Sequence, residues 1–300
     1  RDRLEGVGRL DVLTAVNRRA LDYYEGQDLE RLPVGSLERR ARVLHAMGED
    51  DEKRGDLDRA LAQFQEARRT TAALLAAKPD DPERIFAHAQ SEYWVAYVDY
   101  RRGRREPARA GWESYRRLAE QLTRIDPQDP KWRRELGYAE GNLCTIALEP
   151  PRDAEAALRH CAAALAAMEA AAAKMPGDVG VAVDLSNRHA WLADAYRANR
   201  DYERAHAERR RQEEILAGLI AADSRSLLLK QKWVGLQRAY AGLAWAQKDA
   251  RETRRRLRAA RETVASMIAF DPANREWIEL RDGIDQSLAD LDQSQPSSGG

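Results

Sequence analysis

The sequence predicts an all-α solenoid of about five long helical hairpins, closed by one capping helix at each end. Three observations predict it. Helix-favouring Ala, Leu, Arg and Glu are abundant, while strand-favouring Phe, Ile and Thr are sparse. Helix breakers recur at a constant interval along the 300 residues. Between them apolar residues return every three or four positions, as Phe86, Ala89, Tyr93, Ala96, Tyr97 and Tyr100 do, which is the spacing of one helical face.

The interval carries most of the argument. Breaks centred on Gly55, Gly103, Pro151, Arg200 and Lys248 lie 48, 48, 49 and 48 residues apart. A second set interleaves with them at Pro79–Pro82, Asp126–Pro130, Met175–Asp178, Ala222–Ser224 and Asp271–Asn274. Pro cannot continue a helix interior, Gly accepts the left-handed residue of a helix stop, and Asp or Asn caps the next start. Two helices per repeat of about 48 follow, each of roughly 18 to 22 residues or about 27 to 33 Å.

In order along the chain, residues 1–35 form a capping helix, patterned by Leu10, Leu13, Val16, Ala20 and Tyr24, and a linker through Leu32-Pro33-Val34-Gly35. The repeats run over 36–81, 82–129, 130–177, 178–224 and 225–274. Residues 275–293 form the second capping helix, through Trp277, Leu280, Ile284, Leu288 and Leu291, and 294–300 read as a disordered tail. Capping is expected because the exposed ends of a solenoid need cover. The chain starts with Arg rather than Met, so a segment of a longer protein is expected.

Composition excludes several classes. Fifty Lys and Arg balance fifty Asp and Glu, so the general phosphate attraction of a basic chain is missing and nucleic acid is not the expected partner. No apolar run approaches the roughly 20 residues that span a bilayer, and the first residues have no signal-peptide core. A cytoplasmic location is expected. Two cysteines, Cys144 and Cys161, cannot make a four-thiolate zinc site and read as small buried residues. Gly-rich phosphate loops, HExxH and GxSxG are absent. His45/Glu49 and His88/Glu92 share a helical face but supply only two metal ligands each, so they read as solvated pairs. His160 and Cys161 point about 100° apart on a helix and cannot act as a nucleophile and its base. No catalysis, metal or cofactor is expected.

Small residues stand seven before each inner break, at Gly48, Ala96, Cys144, Ala193 and Ala241, and five after it, at Ala60, Ala108, Ala156 and Ala205, with Thr253 the exception. With Gly55-Asp56-Leu57, Ala60-Leu61, Phe64 and Ala67 in repeat one, and Tyr196 and Tyr202 in repeat four, this pattern resembles the tetratricopeptide repeat. The likeness covers about 240 residues, although the common unit is about 34 long. It implies a right-handed superhelix whose first helices line a concave, partner-binding face. The implied groove positions are Gln90, Tyr93, Tyr97 and Tyr100 in repeat two, Tyr138 in repeat three, and Arg42, His45, Glu49, Asn187, Arg197, Arg238 and Trp245 elsewhere. Four tyrosines would make an amphipathic platform for a peptide or protein segment, unless the long helices bury them.

Residues 1–16 also look like the segment that precedes such repeats in large bacterial signalling proteins carrying an NTPase, a kinase or a Toll/interleukin-receptor-like domain. That implies a sensor or scaffold, with another domain of the same chain as one candidate partner. A membrane helix upstream would place the repeats in the periplasm, where Cys144 and Cys161 would pair. Two alternatives stay open. One is an oligomerisation spine that clusters effector domains. The other is a basic strip of Arg209, Arg210, Arg211, Arg254, Arg255 and Arg258 for an acidic partner or nucleic acid, diluted by neighbouring glutamates.

Overall fold

A computed structural model of the chain describes residues 32–293 together with residue 19. The proposed N-terminal capping helix and the tail lie outside the described residues. Every described element is helical: α1 Val34–Lys53, α2 Leu57–Ala77, α3 Pro82–Arg101, α4 Arg105–Ile125, α5 Pro130–Leu148, α6 Ala154–Lys174, α7 Val179–Ala198, α8 Tyr202–Ala222, α9 Leu227–Ala246, α10 Ala250–Phe270 and α11 Arg275–Gln293. The first begins earlier than expected. Val34 and Gly35, read as linker, already belong to α1, with Pro33 at its N-cap. The chain divides into two compact units between Ile146 and Ala147.

In unit 1, α1 packs on α2, α2 on α3 and α3 on α4. The core of the second hairpin gathers Ala89 and Ala96 of α3, Ala108, Trp112, Tyr115 and Ala119 of α4, and Ala139, Leu143 and Ile146 of α5. Small residues decide how closely the helices cross. A methyl group added at Gly48 would lie 2.6 Å from the Phe64 ring, and one at Gly111 would lie 2.7 Å from the Ala96 side chain. Ala60, Ala96 and Ala108 have no exposed surface. Phe64 fills the space beneath Gly48 and stacks on Trp94 with centroids 5.0 Å apart.

Unit 2 repeats the arrangement from α6 to α11, each helix packing on the next. Ala193, Ala205 and Ala241 are buried at the crossings. Thr253, the exception in sequence, is also buried and turns its hydroxyl back to the Asp249 carbonyl at 2.7 Å. The last helix closes the core of α9 and α10 with Trp277, Ile284 and, partly buried, Leu280 and Leu288.

The inner breaks share one backbone design. Gly55, Gly103, Arg200 and Lys248 all have positive φ, between 61° and 81°. The next residue bonds back across the helix end, Asp56 to Asp51, Arg104 to Asp99, Asp201 to Tyr196 and Asp249 to Ala244, each at 2.9 Å. Those aspartates then cap the following helix through the backbone N–H of Arg59, Arg204 and Glu252. The Pro150-Pro151 break differs. Asp153 bonds to Ala147, six residues back rather than five, so this connection is one residue longer. As a result the fully buried small residue is Ala157 and not Ala156, a one-position correction to the sequence register.

One substitution should therefore act with opposite sign at two helical glycines. Gly48→Ala drives a methyl into Phe64 and should cost about 1 to 3 kcal/mol. Gly218→Ala in α8, where an added methyl meets nothing within 4 Å, should gain up to about 1 kcal/mol of helix propensity. Urea unfolding of both variants beside the wild type measures the two signs.

Candidate functional site

Two open grooves, one in each unit, are lined by first-helix residues. The groove of unit 1 has a volume of about 760 Å³. It takes Glu38, Arg42, His45 and Glu49 from α1, Phe86, Gln90 and Trp94 from α3, and Thr71 and Leu74 from α2 beneath them. Arg42, His45, Glu49 and Gln90 are four of the positions implied by the repeat resemblance. Glu38, Phe86 and Trp94 were missed. They continue the same two faces at spacings of four, and helices longer than the usual repeat extend the face by another turn.

Tyr93, Tyr97, Tyr100 and Tyr138 fall outside that lining and are half-buried against the aromatic core. Tyr93 stacks on Tyr97 at 5.9 Å and tilts against Tyr115 at 5.7 Å, and Tyr100 packs on Trp112 at 5.2 Å. Arg134 donates to the Tyr138 hydroxyl at 2.6 Å. Burial, assisted by the Tyr97 hydroxyl and by Glu52 and Glu135, raises the Tyr93 phenol to about 12. Gln90 is tied down too. Its amide and the Tyr115 hydroxyl both donate to the Glu135 carboxylate, at 2.8 and 2.5 Å. Burial keeps the pKa of that carboxyl above its ordinary value despite both donors.

The floor of this groove is polar in a way the sequence concealed. His45 Nε2 is hydrogen-bonded to Ser91 Oγ at 2.8 Å, Ser91 to Thr71 at 3.0 Å, and Thr71 to His88 Nδ1 at 3.1 Å. His88 Nε2 faces Glu92 at 3.5 Å, and Glu92 faces Arg68 at 3.6 Å. The solvated pairs expected at His45/Glu49 and His88/Glu92 are thus replaced by a mostly buried chain across α1, α2 and α3. A two-residue spacing rule sees one helix, and this chain needs three. Desolvation is the cause of the pKa changes: it lowers His45 to about 4 and lowers His88 as well, with Arg68 adding repulsion at His88.

The groove of unit 2 measures about 800 Å³. Arg238, Gly242 and Trp245 of α9 face Asp194 and Arg197 of α7, with Ser287, Asp290 and Leu291 of α11 on the far side and Leu257 below. Arg197, Arg238 and Trp245 are implied groove positions, whereas Asn187 is half-buried outside this lining. The contribution of α11 had no sequence signal, because the helix was read only as a cover for the end of the core.

The arginine strip is largely neutralised. Arg209 departs from the expected surface position, since it is buried and donates to Asp194 at 2.6 Å and to Gln212 at 2.8 Å. Arg211 pairs with Glu214 at 3.0 Å, Arg254 with Asp292 at 2.6 Å and Arg255 with Glu252 at 2.5 Å. Glu252 also accepts from Arg256, and the Arg255 hydrogen bond leads in holding its pKa near 2. Arg210 and Arg258 remain exposed. Cys144 and Cys161 are buried and neither is a free thiol, so neither supplies a thiolate nucleophile. No helix among the described residues is long and apolar enough to cross a membrane.

The His45 environment sets a pH dependence. A folded pKa near 4 against 6.5 unfolded means the unfolded chain binds the extra proton, so stability falls as pH drops from 6.5 towards 4. The shift corresponds to about 3 kcal/mol at most. His45→Gln, which keeps a hydrogen bond to Ser91 but cannot titrate, should flatten the fall in urea midpoint over that range. An identical slope in both proteins would exclude His45 as its source.

No protein-family model and no curated protein matches the sequence. Solved structures do match in fold. BtubC (BKLC) from P. vanneervenii aligns with a TM-score of 0.63 at 17% identity, over 89% of this chain and 95% of that one. RapI in its apo form gives 0.55 at 13% identity, over 83% of each chain. Acl4, an assembly chaperone of RpL4, gives 0.55 at 16% identity, over 99% of this chain and 96% of its own. At these identities the likeness shows the fold alone, an all-α array of helical hairpins.

Proposed function

We propose that this chain is a non-catalytic protein-interaction module that binds peptide or protein segments in the grooves along its first helices, as part of a bacterial signalling protein. One observation carries the reading: in each unit, residues assigned to the inner face from the repeat register line an open groove, Arg42, His45, Glu49 and Gln90 in one and Arg197, Arg238 and Trp245 in the other. Both grooves combine apolar with charged side chains, and their volumes of about 760 and 800 Å³ suit several residues of an extended chain. Trp245 supports the reading most directly, because it is 54% exposed, whereas tryptophan is mostly buried on average in folded proteins. The tyrosines carry less of the proposal than the sequence suggested, since their rings serve the core. The arginine strip carries little, since four of its six guanidiniums are shared with carboxylates.

An unbiased peptide display selection on the purified chain tests this. Selected ligands should bind Trp245→Ala about ten-fold or more weakly, the loss of a central aromatic anchor, while the melting curve stays unchanged. Ligands that bind a Trp245→Ala/Arg42→Ala double variant as tightly as the wild type would remove both grooves as binding sites.

A further inference from the structure

The groove of unit 2 contains a stripe whose composition the fold does not need. Arg238, Gly242 and Trp245 stand four and three apart, so they share one face of α9. Gly242 is exposed in the helix interior, where glycine costs roughly 1 kcal/mol relative to alanine. A methyl there would meet nothing within 4 Å, unlike the methyl at Gly48, so no neighbouring helix requires the glycine. What the missing side chain leaves is room over the backbone between a guanidinium and an indole. That is the use of glycine where a ligand backbone comes close.

Taken with the adjoining recess, the charges around this stripe are predominantly positive. A smaller recess of about 380 Å³ shares Asp194 and Arg197 with the groove and adds Arg152, Arg200 and Tyr202. Asp194 is already engaged by buried Arg209 at 2.6 Å and by Arg197 at 3.6 Å. Among the described residues Arg200 and Arg238 have no carboxylate partner, and Arg152 donates only to the Leu148 carbonyl at 3.0 Å. Four guanidiniums thus stand against Asp290 and a carboxylate that is already shared. In a concave site such an excess focuses a positive potential on whatever enters.

We propose that unit 2 takes an acidic, extended peptide, with a carboxylate side chain on Arg238 and a large apolar side chain three residues away on Trp245. The proposal rests on the groove reading above and adds the class of ligand. Arg238 and Trp245 are seven residues apart, or about 10.5 Å along the helix axis. A polyproline II segment advances about 3.1 Å per residue with three residues per turn, so its positions i and i+3 share a face about 9.3 Å apart. The two spacings agree, and Gly242 lies where the intervening peptide backbone passes. The planar guanidinium suits a bidentate carboxylate, the exposed indole suits an aliphatic or aromatic side chain, and the remaining arginines favour further acidic residues.

Fluorescence polarisation with labelled peptides and the full chain tests the proposal. The set comprises an acid-to-apolar peptide at spacing i, i+3, the same composition at i, i+1, a helix-stabilised peptide at i, i+7, and a charge-reversed peptide with Lys for each acid. The i, i+3 peptide should bind best, weaken with added salt, and lose about ten-fold or more with Trp245→Ala. Arg238→Gln should cost about three- to five-fold and reduce the salt dependence. Gly242→Leu should abolish binding while leaving the melting temperature equal or higher, which separates a filled groove from a damaged fold. Equal binding of the i, i+1, helical or charge-reversed peptides would overturn the proposed ligand, as would unchanged binding to Gly242→Leu. Neutral or basic ligands from the display selection that depend on Trp245 would overturn the acidic class and leave the groove reading standing. Failure of every peptide and of the selection would overturn both. Equal competition by heparin would reduce the site to a general polyanion surface and overturn the peptide assignment.

Discussion

Gly48 leaves so little room beneath α2 that an added methyl would sit 2.6 Å from the Phe64 ring, and this close helix crossing is the constraint on which the hairpins depend. Helices that approach to that distance must carry Gly or Ala at the contact, or a large side chain forces them apart. Once the crossing is fixed, the chain must reverse within about three residues, which calls for a left-handed residue and a cap immediately after it. Gly55 and Gly103 meet that need without strain, whereas Arg200 and Lys248 meet it with a side chain in the way. The crossing also sets which residues can be large. Phe64, Trp112 and Tyr115 lie over the small positions and bury the volume that the glycines and alanines leave.

Groove and core compete for the same aromatic residues. On α3, Trp94 stacks on Phe64 and still reaches the groove of unit 1, while Tyr93 turns towards Tyr115 of α4 and Tyr97 stacks on Tyr93. The rings that hold one hairpin to the next are therefore largely unavailable to a partner. In α9 the division is cleaner. Leu236, Tyr240, Leu243 and Ala244 are buried, and Arg238, Gly242 and Trp245 are exposed. That separation is why the second groove can be specialised without repacking the first helix of its repeat.

Much of the architecture could be read from punctuation alone, because breakers and small residues act locally and each leaves a mark at a fixed interval. The third repeat departs from that interval. Centring its break on Pro151 misplaced the small residue by one, since the loop carries an additional residue that spacing alone assigns to either side. The groove was legible at Arg42, His45, Glu49, Gln90, Arg197, Arg238 and Trp245, where register dictates direction. It was not legible at Ser287, Asp290 and Leu291, which reach the site only because α11 docks on α10. The buried chain from His45 to Glu92 was equally hidden, since none of its links past a single helix has a sequence signature.

That polar chain has a consequence for how unit 1 comes apart. Ser91 and Thr71 are buried to within 2% of full enclosure, and beyond a bond to a carbonyl of their own helix their hydroxyls are completed by side chains from other helices. If α1 peeled away alone, Ser91 would lose His45. If α3 lifted, Thr71 would lose both Ser91 and His88. Each partial opening leaves a desolvated donor or acceptor without its partner, an expense of about 1 to 3 kcal/mol that complete unfolding avoids because water replaces the bond. Repeat arrays are prone to fray one hairpin at a time, and a polar clasp through three helices opposes that fraying by making α1, α2 and α3 open together.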